Sequence, residues 1–198
     1  MKRLLDIILS LLALGLLYPV MILIAMAIRQ DSPGPAVFRQ RRAGWRGRPF
    51  VMLKFRSMRT DADAYGASPD SQADSRMTRV GKFLRETSLD ELPQLFNVLR
   101  GEMSLVGPRP LYERQAAQWN ERQRRRLDVR PGVTGWAQVS GRGELPIEDK
   151  IELDLWYVEH QSLALDWSIL VRTFAGAFQR RDGIYEKQYS REYRREII

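Results

Sequence analysis

The chain opens on its longest apolar run. Ile7 to Ile28 carries no charged side chain and places Tyr18-Pro19 near its middle. As a helix rising ~1.5 Å per residue it would reach about 33 Å, close to one hydrocarbon core. Its flanks are both cationic: Lys2 and Arg3 precede it, and Arg29, Arg39, Arg41, Arg42, Arg46 and Arg48 follow. Lys and Arg beside membrane segments stay cytoplasmic, so both ends claim the same side. Pro19 has no N–H to offer the Gly15 carbonyl, which predicts a bend there. A helix that dips in, turns at Pro19 and returns satisfies both flanks. Two other readings compete: an ordinary single span, and a cleaved signal peptide ending at Ala25-Met26-Ala27. Against cleavage, the run exceeds the usual h-region of about 7–15 residues and leads into a strongly basic segment.

Beyond this segment the pattern shortens. Asp31-Ser-Pro-Gly-Pro35 is a turn, with two fixed φ angles around a glycine. Ala36–Gln40 and Pro49–Phe55 read as short strands, and Gly44-Trp-Arg-Gly47 makes them a hairpin. Asp61 to Asp74, rich in Asp, Ser, Ala and Gly, is predicted to be a mobile loop. Thr78–Glu86 is helical. Ser88 and Glu91 have capping-box spacing ahead of an apolar stripe of Leu89, Leu92, Leu95, Phe96 and Leu99, and Gly101 supplies the stop. Tyr112–Leu127 reads as one polar helix with a basic end, and Pro131–Gly143 as Gly-rich and irregular. Pro146–His160 and Leu163–Gln179 are two further helices, the last with enough apolar positions to be core or to lie on a membrane surface; core is the default. The whole predicts a predominantly helical α+β chain. Residues 1-30 form the re-entrant membrane helix and 31-198 a single cytoplasmic catalytic domain with a small β-hairpin and amphipathic surface helices.

Composition narrows the chemistry. The 198 residues contain no Cys and one His, His160. Disulfides, thiolate nucleophiles and Cys-ligated metals are therefore excluded, and HExxH zinc chemistry is absent. His160 reads as a helix-end residue. A net charge of +8 predicts an anionic partner: nucleic acid, anionic lipid or a phosphorylated substrate. The membrane segment favours the last two.

The chain has neither GxxxxGK[ST] nor GxGxxG, so bound phosphates would depend on side-chain cations and helix N-termini. Lys54, Arg56, Arg79, Arg85, Arg109, Arg130 and Arg142 are the candidates, each by default a solvated charge. Arg109 stands apart because Pro108 and Pro110 stiffen its backbone. Asp90-Glu91 is the acidic pair of interest. Neighbours on a helix diverge by about 100°, so the two cannot share a proton and can address different atoms. A first-turn position would favour their ionised forms. The plain alternative is that Glu91 is only the cap partner of Ser88.

Taken in order, Phe38-Arg-Gln-Arg-Arg-Ala-Gly44, Lys54-Phe-Arg-Ser-Met58, the stretch from Ser88 to Gly101, Met103-Ser-Leu-Val-Gly-Pro-Arg-Pro110 and the stretch from Arg130 to Arg142 strongly resemble the bacterial sugar transferases. These are the monotopic polyprenyl-phosphate phosphoglycosyltransferases, and the length of the chain matches their small stand-alone members. The resemblance covers nearly the whole chain, with Tyr18 where many small members have Ser. It implies a membrane helix broken at Pro19, Asp90 as nucleophile and Mg²⁺ contact, and Glu91 as its acidic partner. Lys54, Arg85, Arg109 and Arg142 would hold phosphates. The implied reaction moves a sugar-1-phosphate from a UDP-sugar to polyprenyl (undecaprenyl) phosphate with release of UMP. It would take place at the cytoplasmic face of the bacterial inner membrane, among membrane lipids, and would feed later glycan-pathway glycosyltransferases. No nucleic acid would be involved. The rival reading is a non-enzymatic, membrane-anchored basic module for anionic lipid or polymer.

Overall fold

The computed structural model describes residues 1–63, 66, 69, 73–141 and 145–179. Residues 64, 65, 67, 68 and 70–72 of the predicted loop, and Arg142, lie outside the described residues.

The apolar run folds as a single helix, α1 (Lys2–Asp31), with Pro19 inside it. Thirty residues make a rod of roughly 45 Å. Asp6, Ser10, Leu14, Met21, Ile24 and Ile28 are buried along it, at spacings that keep to one face. Leu11, Leu12, Leu16 and Leu23 on the rest of its circumference are exposed. The buried stripe packs on Ala36, Phe55, Leu84 and Leu95, the largest core cluster.

Both ends of α1 are tied to the same globular body. At the start, Lys2 Nζ pairs with Asp166 Oδ2 at 2.5 Å. Arg3 donates to the carbonyls of Val98 and Leu99 at 2.6 and 3.0 Å. Asp6 accepts from Ser104 Oγ and Leu105 N at 2.9 and 3.0 Å. At the far end, Asp31 Oδ2 accepts from Val80 N at 2.8 Å, and Arg56 donates to the carbonyls of Pro33 and Ser32.

The hairpin forms as predicted, with a longer first strand. β1 (Val37–Ala43) pairs antiparallel with β2 (Pro49–Phe55), and Phe38 stands opposite Lys54. Helix α2 (Arg79–Glu86) is capped by Thr78, whose Oγ1 accepts from Gly81 N at 2.9 Å. A Cβ on Gly81 would lie 2.0 Å from the Ser57 carbonyl oxygen, so only glycine lets α2 approach the strand exit this closely. Helix α3 (Gln94–Arg100) ends on left-handed Gly101 as its stop signal implied. The fully buried Asn97 brackets α3 to β2, accepting from Leu53 N at 3.0 Å and donating to the Val51 carbonyl at 2.7 Å.

Two stretches differ from expectation. The polar helix over 112–127 is broken into α4 (Glu113–Ala117), α5 (Glu121–Arg124) and a 3-10 turn over Arg125–Asp128. Burial of Trp119 turns the chain, and a reciprocal cap restarts it: Asn120 Oδ1 accepts from Gln123 N, and Gln123 Oε1 accepts from Asn120 N. Asn-x-x-Gln is itself a start signal, overlooked inside a polar run. The Gly-rich stretch is partly regular. β3 (Ser104–Val106) and β4 (Gly132–Thr134) pair in parallel, Ser104 with Gly132 and Val106 with Thr134, followed by α6 (Trp136–Ser140). A Cβ on Gly132 would meet Gly107 N at 2.1 Å, which explains the glycines there.

Helices α7 (Ile147–His160) and α8 (Leu163–Gln179) fall where the pattern put them, with His160 closing α7. The default core assignment of α8 is half right. Ile169 is buried with Tyr157 and Val106, but Leu163, Trp167, Val171 and Phe174 form an exposed stripe, because apolar residues occupy two faces of the helix.

Candidate active site

Asp90 and Glu91 do not open a capped helix. They lie in a 3-10 turn over Leu89–Glu91, and α3 begins three residues later at Gln94. Ser88 sits in the left-handed region, φ +57°, and makes no side-chain cap. A non-glycine residue held there is strained, and the strain falls two residues before Asp90. The capping-box reading therefore fails. Pro93 cannot donate an N–H and instead becomes the N-cap of α3, while the Glu91 carboxylate turns the other way.

That carboxylate meets two cations. Glu91 Oε1 accepts from Lys54 Nζ at 2.8 Å and from Arg109 Nη1 at 3.1 Å. Lys54 arrives from β2, and Arg109 from the Pro-Arg-Pro segment after β3. Burial pushes Glu91 upward, but Lys54 and Arg109 together outweigh it and hold the carboxyl down to about 2. Burial lowers the Lys54 ammonium from its ordinary value against the pull of Glu91.

Asp90 is different. Its residue is 7% exposed, and among the described residues its carboxylate takes part in no hydrogen bond or ion pair. Burial raises its pKa, opposed first by the Lys54 charge and then by Arg85 and Arg109, while Glu91 adds to the rise. This corrects the expectation that a helix dipole would keep Asp90 ionised. The nearby positive charges are side chains, and they do not fully offset desolvation.

Arg85 lies near Asp90, steadied by Ser57 Oγ at 3.0 Å. Lys54, Arg85, Asp90, Glu91 and Arg109 all line one cavity of about 1660 Å³. Leu17, Ile22, Ala25 and Met26 of α1 line the same cavity, so charged side chains and an apolar side supplied by α1 share one space. Other sequence candidates have different work. Arg56, 5% exposed, closes the end of α1. Arg130 donates to the Gly101 carbonyl at 2.9 Å and lies over Trp45. Arg79 is exposed on α2.

Among the described residues, no three His, Cys, Asp or Glu side chains gather to hold a metal. Mg²⁺ needs fewer, since it binds one or two carboxylates and completes its shell with phosphate oxygens and water. Asp90 fits that requirement as an uncommitted carboxylate, whereas Glu91 Oε1 is occupied by two cations.

The family model described as bacterial sugar transferase matches residues 1–180. The chain belongs to the bacterial sugar transferase family. It is 48% identical over 186 residues to the UDP-glucose:undecaprenyl-phosphate glucose-1-phosphate transferase of Xanthomonas campestris pv. campestris, covering 87% of this chain and 37% of that protein. It is 42% identical over 174 residues to the uncharacterized sugar transferase EpsL of Bacillus subtilis (strain 168), covering 87% and 85% respectively. The UDP-N-acetylgalactosamine-undecaprenyl-phosphate N-acetylgalactosaminephosphotransferase of Aeromonas hydrophila is 42% identical over 178 residues, covering 87% and 42%. The chain thus spans about two fifths of the length of the two sugar transferases with named substrates, and most of EpsL. The matched region of this sugar transferase includes α1, the 3-10 turn with Asp90 and Glu91, and the Pro-Arg-Pro segment.

Proposed function

We propose that this chain transfers a sugar-1-phosphate from a UDP-sugar to a polyprenyl phosphate through a covalent intermediate on Asp90. The observation that carries the reading is the Asp90 carboxylate: buried, without a bonded partner among the described residues, and facing a cavity with three cations at hand. A stability-driven fold would bond such a group or replace it. The names of related proteins, glucose-1-phosphate and N-acetylgalactosamine phosphate transferases to undecaprenyl phosphate, supply the substrate class.

In the first step an Asp90 oxygen attacks the sugar-bearing phosphorus of the donor. The bond from that phosphorus to the bridging oxygen breaks, its electron pair leaves on UMP, and an acyl phosphate joins Asp90 to the phosphosugar. In the second step a phosphate oxygen of the polyprenyl phosphate attacks the same phosphorus, and the Asp90 carboxylate leaves. Lys54, Arg85 and Arg109 stabilise charge on the phosphate oxygens. Glu91, by holding Lys54 and Arg109 on one oxygen, fixes two of those cations. Asp90 would be the carboxylate that holds Mg²⁺, and the ion would supply screening of the repulsion between carboxylate and phosphate.

The apolar wall contributed by α1 suits a lipid acceptor entering beside the charged end. Both ends of α1 bind one globular body, and both flanks are cationic. These facts support a helix that enters the cytoplasmic leaflet of the bacterial inner membrane without crossing it, since a full span would put its two tethered ends on opposite faces. The product, a polyprenyl diphosphosugar, is the substrate class of glycan-extending glycosyltransferases. UMP release from a panel of UDP-sugars in detergent or nanodiscs tests the reading. A phosphosugar adduct on Asp90, seen by mass spectrometry with donor alone, is the expected result. UMP release by the Asp90→Asn variant at the wild-type rate would sink the covalent route.

A further inference from the structure

Behind the Pro-Arg-Pro segment lies an ion pair that the proposed chemistry does not use. Arg126 and Asp154 have side chains 3% and 2% exposed. Arg126 Nε donates to Asp154 Oδ2 at 3.1 Å, and Nη2 donates to the same oxygen. The guanidinium lies over Trp119, 4.8 Å from the ring centre. Both bonds fall on one carboxylate oxygen, so the pair is not closed as a fork. Asp154 Oδ1 and Arg126 Nη1 are buried with no partner among the described residues. As a stabilising device this is poor: a buried, half-satisfied pair is commonly matched or bettered by apolar side chains of the same size.

Among the described residues the pair makes one further bond. Arg126 Nη2 donates to the Arg109 carbonyl at 3.2 Å. The flanking carbonyls are held as well, Pro108 by Gly132 N at 2.9 Å and, more weakly, Pro110 by Arg42 Nη1 at 3.5 Å. Neither proline has an N–H, so main-chain carbonyls are the handles by which this segment can be gripped. Arg109 stands between the two prolines, and its guanidinium reaches Glu91.

We propose that Arg126, anchored on Asp154, is a positioning residue that fixes the main chain of Arg109 and thereby aims its guanidinium at the reacting phosphates. This rests on the transferase reading above. Arg126→Lys keeps the charge opposite Asp154 but lacks the planar reach to hold a carboxylate and the Arg109 carbonyl together. The expected result is a fall in kcat of roughly 10–100-fold with little change in melting temperature. In an Arg109→Ala background the same substitution should change turnover by less than about twofold, because a residue that acts only through Arg109 has nothing left to act on. Equal losses in both backgrounds would overturn the proposal.

Replacing the pair together, Arg126→Met with Asp154→Leu, removes the tether without leaving a buried charge. A variant that folds and turns over at the wild-type rate would overturn it too, and loss of the fold in both variants would make the pair structural. A readout independent of turnover is the NMR order parameter of the Arg109 Nε–H group, rigid in the wild type and expected to become mobile in Arg126→Lys. Absence of UMP release by the wild type would sink the transferase reading. Unchanged Arg109 order in the variant would sink the positioning role alone.

Discussion

A carboxylate with its residue 7% exposed and no bonded partner among the described residues sits in the fold at an energetic loss. For Asp90 the sign follows from its raised pKa. The folded state binds the proton more tightly than the unfolded chain, so this group's stabilising contribution is complete below its ordinary value of 3.8 and is lost as pH rises through its folded pKa. Asp90→Asn should therefore abolish turnover and raise the melting temperature at neutral pH by roughly 2–4 °C, corresponding to about 1 kcal/mol. Differential scanning calorimetry beside the UMP assay checks both halves, and a lower melting temperature would contradict the assignment. Glu91 carries the opposite sign. Held down to about 2 against an ordinary 4.5, it stabilises the fold above pH 4.5, and that contribution fades as pH falls toward 2. Glu91→Gln strands the buried Lys54, and a loss of about 2 kcal/mol at pH 7 is expected. The loss should shrink when both proteins are melted at acid pH; a pH-independent difference would show that the ion pairs contribute nothing.

Among the elements, α2 makes the sharpest demand. Its contact with the Ser57 carbonyl leaves no room for a side chain at position 81, and the same helix carries Arg85, steadied by Ser57 Oγ. Gly81→Ala should cost about 1–3 kcal/mol through overpacking and lower turnover by shifting Arg85. Denaturant melts and UMP release measure the two effects, and a variant intact in both would mean that the contact has slack. The elements also show what could be read from residues alone. The hairpin, α2, α7 and α8 follow from periodicity and turn residues, which are local. The Asp90 turn was misplaced because Ser88-x-x-Glu91 matches a capping box in letters, whereas the decisive contacts to Glu91 come from Lys54 and Arg109, tens of residues away or across a bend. The parallel pairing of Ser104–Val106 with Gly132–Thr134 is likewise invisible locally, since each strand has three residues and the partner is remote. Lys54, Arg85, Asp90, Glu91 and Arg109 were nonetheless named from the sequence, through motif resemblance more than through spacing.

For the whole molecule the testable property is sidedness. A cysteine inserted after Met1, and another at Arg46, would report on the two flanks of α1 without background, since the chain has no native Cys. Both should resist an impermeant thiol reagent in intact cells and react after lysis. Labelling of the N-terminal probe from outside would make α1 an ordinary span. The exposed stripe of Leu163, Trp167, Val171 and Phe174 together with the exposed leucines of α1 gives the molecule its apolar surface.

The partners of the first helix also set an order of events during synthesis. Lys2 waits for Asp166, and Asp6 for Ser104 and Leu105. At ~5–20 residues per second, the ribosome delivers Asp166 roughly 7 to 27 seconds after the end of α1 at Asp31. Until residues 98–105 emerge, the amino end of the nascent helix has none of these partners, and until Asp166 emerges Lys2 still lacks its own. The Lys2–Asp166 contact, 164 residues apart in sequence, can form only after those to Val98, Leu99, Ser104 and Leu105 have become available. Ribosome-stalled chains ending before residue 104 should leave a thiol at the amino end reactive, and chains that expose residue 166 beyond the exit tunnel should protect it.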